Sequence, residues 1–277
     1  MKEEKKKVYT TAPLPFMGQK RKFLKQFTKA LSNYSKDAIY IDLFGGSGLL
    51  SHTVKSHYSN AKVVYNDYDN YRERIAAIED TNLLLGKIRE VVKNLPRDKR
   101  IVDPHRNTIF NLIRNHEKQK GYVDYITLSS SLLFSMKYVL NFQELLKSTF
   151  YNCVRKSDYC GDGYLDGIDI VSEDYKSLFE RYKDDANVVF LIDPPYLQTV
   201  STTYKNYWSL SDYLDVLTVL EGHRYFYFTS NKSSIIELCE WVGNRTLESN
   251  PFEGAYKEEM RQQVNYNSSY TDIMLFK

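Results

Sequence analysis

Apolar positions along the chain follow two periods. Val188-Val189-Phe190-Leu191-Ile192 is a short, continuous, β-branched run, the pattern of a strand buried on both faces. Comparable runs stand at Ile39–Phe44, Ala61–Tyr65, Ile168–Val171, Tyr225–Phe228 and Asp272–Phe276. Between them the spacing becomes helical. Phe23, Leu24, Phe27 and Leu31 share one face, with Lys22, Lys25 and Lys29 away from it. Leu49–Lys55, Tyr71 to about Val92, roughly Ser129 to Leu146, a stretch ending at Tyr182, and Ser211–Leu220 also read as helices. Strands alternating with helices predict an α/β protein built on a mostly parallel sheet.

The rhythm fails in one place. Residues 95–125 are polar and irregular, and Phe150–Tyr164 alternates aromatic, basic and turn residues like a hairpin or loop. That departure is too long for an ordinary crossover. The expected organisation is therefore a flexible basic arm at 1–12, a core domain from 13–94 and 166–277, and an inserted subdomain at 95–165. Past Thr229 the chain reads as a polar, Tyr-rich loop before the last strand.

Candidate chemistry gathers where strands end, which is where open α/β sheets bind ligands. Ile39–Phe44 runs into Gly45-Gly46-Ser47-Gly48 and then a helix, a nucleotide-binding arrangement. Ala61–Tyr65 ends at Asn66-Asp67, and Asp67 lies 19 residues after Gly48, close to the spacing of a carboxylate that bonds a ribose hydroxyl. Val188–Ile192 ends at Asp193-Pro194-Pro195-Tyr196. The Asp193 carboxylate and the Pro194 carbonyl are two fixed acceptors, suited to the two donors of an amino group. The Tyr196 ring offers a face on which a heterocycle can stack. Gly18, just before the first helix, lets backbone amides approach a ligand. On residues alone, a solvated strand-ending turn explains Asp193 equally well, and an NAD fold explains the glycine turn.

Composition narrows the classes. Of 277 residues, 42% are hydrophobic, enough for a sizeable core. Net charge is +3, but residues 1–36 carry ten Lys/Arg against Glu3 and Glu4. A basic arm on a near-neutral body suits a polyanionic partner, and equally a solvated tail. Cys153, Cys160 and Cys239 form neither a disulfide framework nor a zinc motif, and His105 and His116 lack the partners of a metal site. Absence of a signal segment or a long apolar run predicts a cytoplasmic protein with no membrane partner.

Phe16 to Lys20, Phe44-Gly45-Gly46-Ser47-Gly48, Asn66-Asp67 and Asp193-Pro194-Pro195-Tyr196 stand in an order that resembles the D12 class, Dam-type, N6-adenine DNA methyltransferases. The resemblance covers roughly 13–277 and is weakest within 95–165. It implies a Rossmann-like S-adenosylmethionine-dependent methyltransferase sheet, mostly parallel with the last strand reversed, and an inserted, mainly helical target-recognition subdomain. It implies that Phe44, Gly46 and Gly48 wrap the amino-acid end of S-adenosylmethionine, that Asp67 binds its ribose, and that Asp42 lies near its amino group. Asp174 would lie near its adenine. Phe16, standing where Trp is more usual, and Lys20 would form the N-terminal cofactor segment. Asp193, Pro194, Pro195 and Tyr196 would hold the target adenine, with Asp193 also facing the cofactor. Recognition of double-stranded DNA would fall to Tyr151, Arg155, Lys156 and Tyr159 in the insert. The implied activity is methyl transfer to N6 of a flipped-out adenine, with no metal, and with room for a cognate restriction endonuclease as a partner. RNA adenine or DNA cytosine-N4 methylation, or a catalytically silent nucleic-acid-binding module, remain open alternatives.

Overall fold

In the computed structural model, the described residues are 7–134, 137–195, 210–231, 233–243, 250–265 and 268–277. They form two compact units. One comprises Met1–Thr11, Gln19–Asp69 and Leu165–Lys277, the other Ala12–Gly18 and Asn70–Tyr164.

The first unit is a seven-stranded sheet. In chain order its strands are β1 (Ile39–Asp42), β2 (Lys62–Asn66), β3 (Asp169–Val171), β4 (Val188–Ile192), β5 (Arg224–Ser230), β6 (Tyr256–Asn265) and β7 (Ser268–Phe276). They lie in the order β3-β2-β1-β4-β5-β7-β6. β1 to β5 pair in parallel, and β7 runs antiparallel to both β5 and β6, so β7 is the reversed strand. Every residue of β4 is buried, as its unbroken apolar run requires.

Helices cover both faces. α1 (Leu24–Leu31) and α2 (Leu49–His57) bring Phe27, Leu31, Leu50 and Val54 onto the face that carries Tyr40, Tyr65, Leu191, Phe228 and Met274. α8 (Tyr175–Tyr182), α9 (Leu210–Leu220) and α10 (Ile235–Gly243) cover the face of Ile41, Val64, Phe190, Tyr227 and Ile273. The sheet is therefore doubly wound. Connections leave β1 in one direction toward β2 and cross to β4 in the other, so the ends of β1 and β4 form a topological switch point.

The second unit is helical in its regular structure. It holds α3 (Tyr71–Ala76), α4 (Ile78–Val92), α5 (His105–Lys120), α6 (Tyr125–Leu132) and α7 (Phe142–Leu146). Arg74 ties it together, with Nε donating to Asp124 at 3.1 Å and Nη2 donating to the Pro15 carbonyl at 2.8 Å.

Three elements depart from the expectation. α5 forms where an irregular segment is expected, because Ile109, Phe110 and Ile113 suffice to bury one face of an otherwise polar helix. The helix expected over 129–146 is two. Asp124 caps α6, and Asn141 caps α7, its Oδ1 accepting from the Glu144 amide, while Glu144 Oε2 accepts from the Leu140 amide just before the cap. The polar loop expected before the last strand contains α10 and β6. β6 pairs on one side only, and an edge strand can remain polar.

Candidate active site

Four strand ends of the first unit build the site. After β1 the chain turns through Gly45–Gly48, closed by a 2.7 Å bond from the Gly48 amide to the Gly45 carbonyl. Gly46 (φ 50°) and Gly48 (φ 69°) are left-handed, a conformation that costs glycine little. Gly48 is the residue from which α2 starts. Gly45, outside the residues expected to meet the cofactor, has a different constraint. A Cβ there would sit 2.1 Å from two ring carbons of Tyr65 and 2.8 Å from the Asn66 carbonyl. The sequence signal was the doubled glycine itself.

Tyr65 and Asn66 connect the turns. The Tyr65 hydroxyl lies 2.8 Å from the Gly46 carbonyl and 2.9 Å from Asp67 Oδ1, fixing the buried Asp67 against the glycine turn. Asn66 donates to the Leu43 carbonyl at 3.1 Å and the Glu173 carbonyl at 2.9 Å, and accepts from the Glu173 amide at 3.0 Å. One amide side chain thus pins the ends of β1, β2 and β3, a role that periodicity does not reveal. Asp174, exposed beside it, caps α8 by accepting from the Lys176 amide at 2.8 Å. Phe44 packs against the Tyr175 ring, with centroids 4.9 Å apart.

Asp193 follows β4 directly. Its Oδ2 accepts from Lys20 Nζ at 2.5 Å, and Lys20 is itself buried. Burial pushes the Asp193 carboxyl upward, and the Lys20 ammonium opposes the rise. Pro194 is buried and Pro195 half-buried, while Tyr196 lies outside the described residues.

Asp42 is fully buried at the end of β1. Its Oδ2 accepts from Ser51 Oγ at 2.7 Å, and Oδ1 makes no hydrogen bond of acceptable geometry. Burial, and secondarily the Asp193 charge, push its pKa from 3.8 to about 7, against the pull of Ser51, the Phe44 amide and Lys20. The folded chain therefore holds a proton on Asp42 at pH values where the unfolded chain has released it. Stability contributed by this group is present below about pH 4 and is lost as pH rises toward 7. Asp42→Asn is expected to flatten that part of the Tm–pH profile and to raise stability at pH 8 by on the order of 4 kcal/mol. An unchanged profile would show that Asp42 titrates alike in the folded and unfolded chain.

The remaining expected residues belong to the second unit. Phe16 sits edge-on to Tyr71, centroids 5.7 Å apart. Arg155 stacks its guanidinium 4.5 Å over the Tyr159 ring and donates to the Ser157 carbonyl at 3.1 Å. Tyr159 is buried, and Asn82 grips its backbone through both N–H and C=O. The Tyr151 ring lies 4.2 Å from that of Phe134, and Lys156 is exposed. The segment 150–164 contains no named strand. Arg155 and Tyr159 are thus brought together, but as a packed loop.

The D12 class N6 adenine-specific DNA methyltransferase model matches residues 16–266. A Haemophilus influenzae protein named "Putative methyltransferase" is 36% identical over 285 aligned positions, covering 98% of this chain and 94% of that one. The solved structure named "Putative methyltransferase yhhF from Escherichia coli" overlaps 95% of this chain and 90% of its own, at 12% identity and a TM-score of 0.29. The family match takes in every strand end described above, from Lys20 to Asp193, and on it the chain belongs to the D12 class N6 adenine-specific DNA methyltransferase family.

Proposed function

We propose that the chain transfers a methyl group from S-adenosylmethionine to N6 of a flipped-out adenine in double-stranded DNA. The observation that carries this reading is the Asp193 carboxylate, held at the β1/β4 switch point beside the glycine turn. The donor set suits the cofactor. Asp42, Asp67 and Asp193 stand at strand ends in the same unit, and one buried oxygen, Asp42 Oδ1, lacks a partner. Carboxylates in that number fit a ligand that carries ribose hydroxyls and positive charge.

When bound, S-adenosylmethionine supplies an electrophilic methyl on a sulfonium. Asp67, fixed by Tyr65, would accept from ribose hydroxyls, and the turn at Gly46 and Gly48 would bring the backbone close to the amino-acid end. A base inside a duplex is out of reach, so it must leave the stack first. Asp193 and the Pro194 carbonyl would then accept the two amino hydrogens and leave the nitrogen lone pair aimed at the methyl. Holding the amine in line is worth about 7–11 kcal/mol of barrier. Pro194 is buried, which fixes its carbonyl beside Asp193. Asp193, its carboxyl shifted upward, is placed to receive the proton that the alkylated nitrogen releases.

The test is transfer of tritiated methyl from labelled cofactor to DNA and to RNA, with digestion to nucleosides. Label in N6-methyl-2′-deoxyadenosine from DNA is expected. Label in RNA or in N4-methylcytosine, or none at all, overturns the reading. Asp67→Ala is expected to weaken cofactor binding by about 1.5–3 kcal/mol, the range for a hydrogen bond to a charged group. Calorimetry with unchanged affinity would remove Asp67 from the ribose site. Among the described residues, no helix is long and apolar enough to cross a membrane.

A further inference from the structure

Side chains on one sheet face alternate along a strand, so register shows which rim residues are neighbours. Asp42 on β1 pairs with Leu191 on β4, and Asp193 lies two residues beyond Leu191 on the same face. Ser230 lies two residues beyond Phe228 on that face of β5, and it pairs with Asp272 of β7. Asp42, Asp193, Ser230 and Asp272 therefore form a row across the rim of four adjacent strands. Asp42 and Asp272 are buried.

Lys20 comes down onto this row from the segment before α1. Its Nζ is bonded to Asp193 and lies 5.9 Å from the centroid of the Phe228 ring. Tyr270, two residues before Asp272 on β7, feels both Asp272 and the Lys20 charge, while Asp193 feels Asp272. The ammonium thus stands within electrostatic reach of Asp193 and Asp42, and it shares the neighbours Asp193 and Tyr270 with Asp272. Asp42, whose carboxyl burial pushes up, is the poorer counter-ion of the other two.

On the proposed reading this poses a problem. The reacting amine needs Asp193 as an acceptor, and Lys20 already occupies Oδ2. Removing one partner of a buried ion pair is costly unless another counter-ion receives the charge left behind. We infer that Asp272 is a positioning residue that takes over the Lys20 ammonium when the substrate amine claims Asp193. This inference rests on the proposed function, and it gives β7 a part in the reaction.

The experiment joins kinetics to a signal from Lys20 itself. Asp272→Asn keeps the shape and removes the charge. It is expected to lower kcat/KM for DNA by about tenfold or more while leaving cofactor affinity within about twofold. In a Lys20→Gln background the same substitution is expected to change kcat/KM by less than about twofold, because the two residues act as one unit. Equal losses in both backgrounds would overturn the inference and mark Asp272 as merely structural. The second readout is the 15N resonance of the Lys20 ammonium in the cofactor-free protein, assigned with Lys20→Arg. Asp272→Asn is expected to shift it, and an unmoved resonance overturns the inference. Absence of methyl transfer by the wild-type chain would overturn the function reading instead, and the ammonium resonance would still judge Asp272.

Discussion

Asp193→Asn is expected to lower methyl transfer by about 10²-fold or more, the scale of losing one preorganised electrostatic partner at a reacting atom. Asn fills the same volume, so the site keeps its shape. It replaces a charged acceptor by a neutral amide, one of whose two ends is a donor. An amine facing that donor end loses the contact that orients its lone pair. With the Asp193 charge gone, Asp42 ionises more readily beside Lys20, so the fold is expected to survive with little change in Tm. Single-turnover methylation with labelled cofactor, run beside thermal unfolding, measures both. Activity within about tenfold of the wild type, in a folded protein, would take Asp193 out of the chemistry.

Gly45→Ala is expected to damage stability and cofactor binding together. Its new Cβ would lie 2.1 Å from the ring of Tyr65, which is fully buried and can move only at the expense of its neighbours. Any shift of the ring also moves the hydroxyl that holds Asp67 and the Gly46 carbonyl. Overpacking of this kind costs about 1–3 kcal/mol or more. In a domain of this size that lowers Tm by about 2–4 °C per kcal/mol. Cofactor affinity is expected to fall by about tenfold or more, on the scale of a lost hydrogen bond to a charged group. Gly86→Ala is the control. It lies inside α4, a Cβ there meets nothing within 4 Å, and alanine favours a helix by about 0.5–1 kcal/mol. If Gly45→Ala matches the control in Tm, the close approach of Tyr65 does not constrain this turn.

Much of the sheet was legible because its causes are local. Val188–Ile192 is apolar at every position, short and rich in β-branched residues, which suits a strand covered on both faces. Gly46 and Gly48 announced a turn through their backbone freedom, and Asp67 and Asp193 announced strand ends by breaking apolar runs. Polar elements were less legible. α5 buries a narrow stripe, and β6 is an edge strand that pairs with β7 alone. Periodicity detects buried faces, so it misses elements that bury little.

By itself the sequence determined the buried strands, and that glycines, Asp67 and Asp193 close three of them, because apolar period and backbone freedom act over a few residues. Which charges meet was decided only by the tertiary structure. Lys20 and Asp193 are 173 residues apart in the chain and bonded in space. Asp42 became an unsatisfied buried acid because α2 and the sheet close over it, leaving one oxygen without a donor. Arg155, exposed as expected, stacks on the Tyr159 ring, a contact no linear view shows. The energy of each such charge is set by distance and by exclusion of water, and neither quantity exists until the chain has folded.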